Sequence, residues 1–335
     1  MQIYDKQGYL NVPEIRKIPH TFLFLFAARG TGKTFPVSLQ LLEEGKPFIY
    51  MRRTESELFE CGNDELSPFN EINYEYNFDV HFEKIRGAKH TMSIKDGQNS
   101  VGVGLALSTI HNIRGFNALD KAVLFYDECV PQINVRQMKG EDMAILHAYE
   151  TCNRNRELNG YAPLEFILAG NSDNLDAAIF SAFNLYPYIE SMKRSGEDIV
   201  VDNEKGIIVV YAQHSPISEQ KADTALYKAT NNTDFKNVAL HNIFAQETYF
   251  EFIKKVPLNE YKQICATPRF RIFSHKSQKI VYVSEPKGTQ YDFLLDMKDV
   301  QKFYARYLYL TGMFERGKVY FENYNVLHFF REIFY

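Results

Sequence analysis

The segment FLFLFAARGTGKTF, residues 22–35, constrains the fold more than any other part of this 335-residue sequence. A short apolar run leads into a loop that ends in Gly32, Lys33 and Thr34, and a helix-like stretch follows. A strand, such a loop and a helix form the phosphate-binding P-loop, in which successive backbone N–H groups surround a phosphate. The short pattern alone arises by chance, but much less often in this strand-to-helix context. The segment therefore predicts a phosphate-binding loop.

The loop residues have separate predicted roles toward ATP and Mg²⁺. We expect Lys33 to reach the β- and γ-phosphates and Thr34 to offer its hydroxyl to the metal. The other predicted nucleotide contacts come from the loop itself: Ala28, Arg29, Gly30, Thr31 and Gly32.

Two loop positions need separate interpretation. Ala27 stands where the pattern G-x-x-x-x-G-K-[ST] begins with glycine, and alanine fits there if its φ stays negative. The Arg29 side chain either lies in solvent or reaches the γ-phosphate of its own site. The sequence leaves these two alternatives open.

A second apolar run, KAVLFYDE, ends in two acids, Asp127 and Glu128. Two acids at a strand end are often only solvated. Beside a P-loop they favour Asp127 as a Mg²⁺ ligand and Glu128 as the base that polarises the attacking water. A small-molecule kinase has no need of the second acid, so the pair favours a hydrolase.

Three further residues are weaker candidates. Arg154 and Arg156, in CNRNRE, either balance the charge of a helix C-terminus or act as an arginine finger in a neighbouring subunit's site. Asn171, just past an apolar run, is placed to sense the γ-phosphate or to orient water.

Short apolar runs alternate with helical stretches from about residue 21 to residue 211, which predicts an α/β domain with a mainly parallel sheet. A hairpin is expected around Asp96-Gly97, and the charged stretch 191–205 is interpreted as a loop. The predicted strands are 21–26, 47–51, 122–126, 163–168 and 206–211. The predicted helices are 34–44, 141–156 and 175–183.

The rest of the chain predicts a connector and a second domain. We expect a P-loop ATPase domain over residues 1–212, a polar helical linker over 213–247 and a small α+β domain over 248–335. In the last of these, TYFEFIKK, RFRIFSH and KIVYVSE suggest strands, whereas DVQKFYARYLYLTG and NVLHFFREIFY suggest two closing helices.

Composition restricts partners and location. The formal net charge is −4, so bulk electrostatics do not attract nucleic acid. The four cysteines are scattered without metal-like spacing, which is typical of reduced cytosolic thiols. The apolar run 22–28 is too short to cross a bilayer, and the polar start does not resemble a signal peptide. We therefore expect a cytoplasmic protein with no membrane partner.

Several of these stretches together resemble the DNA-packaging ATPases of phi29-like bacteriophages, which are terminase-like P-loop ATPases of the ASCE class. The resemblance is carried by ARGTGKT, KPFIYMRRTESEL, LFYDE, RNRE and the strand before Asn171. It covers the first two-thirds of the chain well and the last third loosely, through YARYLYLTGMFERGKVYF and the closing helix.

The resemblance implies roles for particular residues. Lys33 and Thr34 would serve phosphate and Mg²⁺, Asp127 the metal, and Glu128 water activation. Four arginines also match family positions. Arg154 aligns with the family's trans-acting finger, and Arg156 is the second candidate for that role. Arg114 falls at a basic position suspected of acting between subunits.

Arg52 matches an arginine linked to nucleotide handling. The structural alternative for Arg52 is an ion pair with Glu55 or Glu57.

The resemblance also implies a homopentameric ring that docks on the portal vertex of the procapsid in the host cytoplasm and translocates double-stranded DNA, with a structural RNA as an open question. Five copies can line a channel with a few basic residues each. Channel candidates are Lys84, Arg86, Lys89, Lys254, Lys255, Lys262, Arg269, Arg271 and Lys276.

The C-terminal domain of the family resembles an RNase H-like nuclease that has lost its catalytic acids. Here Asp292, Asp296 and Asp299 are better explained as helix-capping residues, so we predict no nuclease activity. Two other functions remain as alternatives: a complete terminase with an active nuclease, and a non-enzymatic nucleotide-binding assembly factor.

Overall fold

A computed structural model describes most of the chain. The described residues are 2–113, 116, 118–132, 135, 138–172, 174–213, 215–230 and 247–335, without the side chains of 247, 248 and 250. The chain divides into two compact units. Unit 1 comprises Met1–Phe183 with Tyr188–Ala245, and unit 2 comprises Asn184–Pro187 with Gln246–Tyr335.

A nine-stranded sheet organises unit 1, in the order β3-β4-β5-β2-β6-β7-β1-β9-β8. The neighbouring pairs from β5 through β9 are parallel, whereas β3-β4-β5 at one edge and β8 at the other pair antiparallel. The strands are β1 Phe22–Ala27, β2 Phe48–Arg52, β3 Val80–Lys84, β4 Thr91–Asp96, β5 Asn99–Ala106, β6 Val123–Asp127, β7 Glu165–Asn171, β8 Ile199–Asp202 and β9 Ile207–Ala212.

Helices connect the parallel strands, as a parallel sheet requires. The helices between residues 12 and 76 pack their apolar residues against one face of the sheet, which contributes the fully buried Leu23 and Leu25 of β1 to a common hydrophobic core. The described α-helices that begin in this part of the chain are α1 Val12–Ile15, α2 Thr34–Glu43, α3 Glu55–Glu60, α4 Asn70–Tyr76, α5 Glu141–Asn153, α6 Ala178–Ala182, α7 Tyr186–Ser195, α8 Pro216–Lys221 and α9 Ala225–Ala229.

The sheet order brings three strand ends together. Strand β7 lies between β1 and β6, so the strand that ends in Asp127 is separated from the strand that ends in Ala27 by one neighbour. Ala27 is in register with Asn171, and Asp127 with Ala169. Because parallel strands end at a common edge, the predicted loop, acid pair and Asn171 meet there.

Unit 2 contains a four-stranded sheet of β10 Tyr261–Ala266, β11 Arg271–His275, β12 Val281–Ser284 and β13 Val319–Phe321, in that order. The first three strands are antiparallel, and β13 joins β12 in parallel. Helices α10 Asp299–Tyr307, α11 Tyr309–Glu315 and α12 Tyr324–Phe334 complete the unit. Its core is rich in aromatic rings: the ring centroids of Phe303 and Tyr307 are 4.9 Å apart, and those of Phe330 and Phe334 are 4.6 Å apart.

The structure confirms the mainly parallel α/β sheet and the hairpin at Asp96-Gly97, and it corrects four local predictions. The stretch 191–205 is not a loop, since α7 runs to Ser195 and β8 then pairs with β9. TYFEFIKK is not a strand: a 3₁₀ helix covers Glu247–Phe252. DVQKFYARYLYLTG forms two helices instead of one. Strands β3, β10 and β13 were not predicted.

Candidate nucleotide site

The loop after β1 has the backbone that its glycines predict. Gly30 and Gly32 have φ values of +67° and +79°, in the region that glycine adopts without steric cost. Ala27 is the last residue of β1 and is fully buried, so this position continues the strand and accepts a methyl group. The missing first glycine of the pattern therefore does not disturb the loop.

The Lys33 ammonium lies over its own loop. Its Nζ donates to the carbonyl oxygens of Ala27 at 2.8 Å and Ala28 at 2.7 Å, and the residue is only 9% exposed. Thr31 Oγ1 also donates to the Ala28 oxygen at 2.8 Å. These bonds close the loop into a turn and keep a positive charge at its mouth.

Asp127 receives hydrogen bonds on both oxygens. Thr34 Oγ1 donates to Oδ1 at 2.9 Å, and the buried Tyr50 hydroxyl donates to Oδ2 at 2.8 Å. Burial raises the pKa of the Asp127 carboxyl, and the nearby Arg52 guanidinium opposes that rise. Mg²⁺ takes only a few oxygen ligands from the protein when it also binds nucleotide phosphates. The Thr34 hydroxyl and the Asp127 carboxylate lie side by side at the end of the loop and fit that requirement.

Glu128 has a different environment from its neighbour. Its backbone φ is +55°, which is rare for a residue with a side chain and is typical of sites where surrounding structure imposes strain. The Glu128 side chain is 62% exposed, and its Oε2 accepts a hydrogen bond of 2.5 Å from Arg52 Nη2. A carboxylate held this way must exchange Arg52 for water before it acts as a base.

Arg52 therefore contacts neither of the partners that the sequence suggested for it. Its guanidinium, 13% exposed, lies between Glu128 and Asp127, with Nη1 3.7 Å from Asp127 Oδ2. Glu55 instead pairs with His90, and Glu57 closes a capping box with Thr54 at the start of α3.

Gly170 explains how the segment after Glu128 comes close to β7. A Cβ on Gly170 would lie 2.7 Å from Val130 Cγ2, so glycine is required for this approach. Asn171 follows at the end of β7, beside Ala27 in the register, and lines the same cleft as the loop. Asn171 therefore lies at the same sheet edge as the loop. Its role toward phosphate stays a prediction.

An open cleft of about 1540 Å³ collects these groups. The N-terminal residues and α8 also line it, although no sequence pattern in these segments predicts that position. The cleft is lined by Asp5, Lys6, Tyr9, Arg29, Gly30, Gly32, Lys33, Thr34, Arg53, Asp127, Glu128, Asn171, Ile217, Gln220 and Lys221, among others.

The two candidate finger arginines are in different environments. Arg156 is buried, and its guanidinium donates to the carbonyl oxygens of Ala162 at 2.9 Å and Lys121 at 3.0 Å, among others. This geometry gives Arg156 a structural role instead of the predicted finger role. Arg154 directly follows α5 with an exposed side chain. Arg114 lies outside the described residues.

Two residues that the sequence did not single out support the site. Tyr50 was missed because a tyrosine inside an apolar strand has the pattern of a core residue. Arg53 forms a buried ion pair with Glu141, at 2.7 Å from Nε to Oε1, and so ties the end of β2 to the start of α5.

The three C-terminal acids bind backbone amides. Asp292 accepts from Ala266 N at 2.7 Å, Asp296 from Asp299 N at 2.8 Å, and Asp299 from Leu294 N at 3.1 Å. Among the described residues no group of three or more His, Cys, Asp or Glu side chains is placed to hold a metal. No described helix is long and apolar enough to cross a membrane.

The fold and site define an α/β protein in which a glycine-containing loop faces an acid pair across a sheet edge. A family model described as Podovirus DNA encapsidation protein (Gp16) matches residues 4–334. The chain belongs to this family, which confirms the expected phage DNA-packaging class.

Two solved structures are similar over nearly the whole chain. The Phi-28 gp11 DNA packaging motor is 16% identical with a TM-score of 0.67, over 97% of this chain and 96% of that chain. The bacteriophage Phi-29 viral genome packaging motor assembly is 17% identical with a TM-score of 0.64, over 97% and 99%. At these identities the similarity shows the fold alone. The comparison with curated proteins found no match.

Proposed function

We propose that this protein hydrolyses ATP and uses the energy to translocate double-stranded viral DNA into a procapsid. The observation that carries the proposal is the hydrogen bond between Thr34 and Asp127, which joins the loop after β1 to the acid pair at the end of β6, with one strand between β1 and β6. Phosphate, metal and water chemistry need these groups together. Family membership supplies the DNA-packaging context.

The chain's own groups divide the chemistry between them. The loop amides from Ala28 to Gly32 and the Lys33 ammonium bind the phosphates. Thr34 and Asp127 would hold Mg²⁺, which when bound neutralises charge that develops on the phosphate oxygens. Glu128, once released by Arg52, accepts the proton of the attacking water.

A ring accounts for the remaining features. The one-strand separation between β1 and β6 supports the expected ASCE class of ring-forming ATPases. Arg154, exposed at the end of α5, is the better candidate for a finger that enters a neighbour's site. A pentameric ring also lets an acidic chain bind DNA through a few basic residues per copy. The same family pattern supports docking on the portal vertex in the host cytoplasm.

The decisive assay is DNA-stimulated ATP hydrolysis by the wild type and Glu128→Gln. Because a positioned base contributes about 10²–10⁴-fold, we expect the variant to lose about 100-fold or more in kcat while it still binds Mg-ATP. Glu43→Gln, on the exposed face of α2, is the matched control and should hydrolyse normally.

Two outcomes would contradict the proposal. Wild-type protein that binds ATP without hydrolysing it would favour the non-enzymatic assembly factor. Hydrolysis that neither DNA nor Glu128→Gln changes would exclude a DNA motor that uses Glu128.

A further inference from the structure

A lysine from outside the loop contacts its backbone. Lys221, the last residue of α8, donates from Nζ to the carbonyl oxygens of Arg29 at 3.0 Å and Gly30 at 2.6 Å. The approach is so close that a Cβ on Gly30 would collide with Nζ. The glycine therefore serves this contact as well as the turn.

The two carbonyl groups belong to peptide units that carry predicted phosphate donors. The Arg29 carbonyl shares a peptide plane with the Gly30 N–H, and the Gly30 carbonyl shares one with the Thr31 N–H. The described peptide bonds are not cis, so in each peptide unit the N–H points away from the carbonyl oxygen of the preceding residue. An ammonium on the oxygen side therefore directs both N–H groups to the opposite side of the loop, and its charge polarises them.

The position of α8 is itself fixed. Ser215, just before α8, donates from Oγ to the Gly8 oxygen at 3.3 Å, and the same N-terminal segment donates from Leu10 N to the Thr31 oxygen at 3.0 Å. The N-terminal segment, α8 and the loop thus contact one another.

The Lys221 ammonium has no carboxylate partner among the residues that the structure describes. Burial lowers the pKa of this ammonium. Desolvating a charge without an ion pair is unfavourable, so the two carbonyl bonds must compensate.

We propose that Lys221 is a positioning residue for the phosphate site. It fixes the peptide units Arg29–Gly30 and Gly30–Thr31, so that their N–H groups are already oriented to bind the phosphates of a nucleoside diphosphate. This inference rests on the proposed function, since it needs the loop to bind phosphates. Lys221 acts through the loop backbone and takes no part in the bond that breaks.

The test is Mg-ADP binding by Lys221→Met, Lys221→Arg and Lys228→Met, with calorimetry on the full chain. Methionine keeps the length of the stem and removes the donor. Arginine keeps a positive donor. Lys228 on the neighbouring α9 is exposed and pairs with Asp223 at 3.9 Å, so it serves as the control.

We expect Lys221→Met to bind Mg-ADP about tenfold more weakly, the scale of one lost charge-assisted hydrogen bond. Lys221→Arg should recover most of the affinity, and Lys228→Met should match the wild type. In ATP hydrolysis the KM should rise more than kcat falls, because the oriented loop binds the substrate and the transition state about equally well. Melting temperatures of all three variants should stay close to that of the wild type.

The results separate the two proposals. Wild-type protein that does not bind Mg-ADP would contradict the proposed function itself. Wild-type binding together with equally tight binding by Lys221→Met would overturn the role of Lys221 alone. Equal losses in Lys221→Met and Lys221→Arg at unchanged melting temperature would overturn it as well, since a donor would then make no difference.

Discussion

At the scale of single residues, the Tyr50 hydroxyl stabilises the buried Asp127 carboxylate through a hydrogen bond. Tyr50→Phe removes the donor to Asp127 Oδ2 and leaves a desolvated carboxylate oxygen without its bond. We expect a loss of about 1–3 kcal/mol in the free energy of unfolding, measured by urea denaturation. The pKa of Asp127 should rise further, since the Tyr50 hydrogen bond lowers it.

The chain offers a matched control for this substitution. Tyr126 is equally buried in β6, but its hydroxyl has no hydrogen-bond partner among the described residues. Tyr126→Phe should therefore be neutral or slightly stabilising. Equal losses in both variants would mean that tyrosine packing, and not the bond to Asp127, determines the stability.

At the scale of elements, an ion-pair cluster links the N-terminal segment to β7. Glu165, the first residue of β7, accepts from Arg16 Nε at 2.8 Å and from His20 Nε2 at 3.0 Å. Burial alone would raise the pKa of Glu165, but the bonds from Arg16 and His20 outweigh it and lower the pKa to about 2. A carboxyl group whose pKa is lower in the folded than in the unfolded chain stabilises the fold at pH values above its unfolded pKa.

Glu165→Gln should therefore lower the free energy of unfolding by about 2–3 kcal/mol at pH 7. The unfolded pKa is near 4.5 and the folded one near 2, so the difference from wild type should shrink as the pH falls from 4.5 toward 2. Denaturant titrations across that range measure it. Glu14→Gln, in the exposed pair with Lys17, should change little. A difference independent of pH would argue against the ion-pair explanation.

The elements that sequence patterns predicted are those with a local signal. β1, β2, β6, β7 and β9 are apolar runs buried on both faces, and that burial produces continuous hydrophobic sequence. β8 was not predicted because its four residues, IVVD, form a short and partly exposed edge strand inside a charged stretch of sequence. In the site, the loop and the acid pair follow from strand ends, whereas Tyr50 and Lys221 owe their positions to tertiary packing that no local pattern encodes.

At the scale of the whole molecule, the net charge of −4 makes DNA binding depend on local basic residues and on assembly. The proposed ring also makes each ATP site incomplete in a single chain, because the finger comes from a neighbour. Mixed assemblies can test this directly. Lys33→Ala removes a chain's own site and keeps its finger, and Arg154→Ala does the reverse.

Each variant alone should hydrolyse ATP poorly, since a finger is worth about 10³–10⁵ in kcat. Mixing the two should restore part of the DNA-stimulated activity, with the largest recovery near equal amounts, because some intact sites then lie beside intact fingers. Arg156→Ala provides the contrast. It should lower the melting temperature of the chain because the backbone carbonyl groups of Ala118, Lys121 and Ala162 lose the guanidinium donor that joins them. No recovery at any ratio of Lys33→Ala to Arg154→Ala, with both variants folded, would show that Arg154 does not act on a neighbouring site.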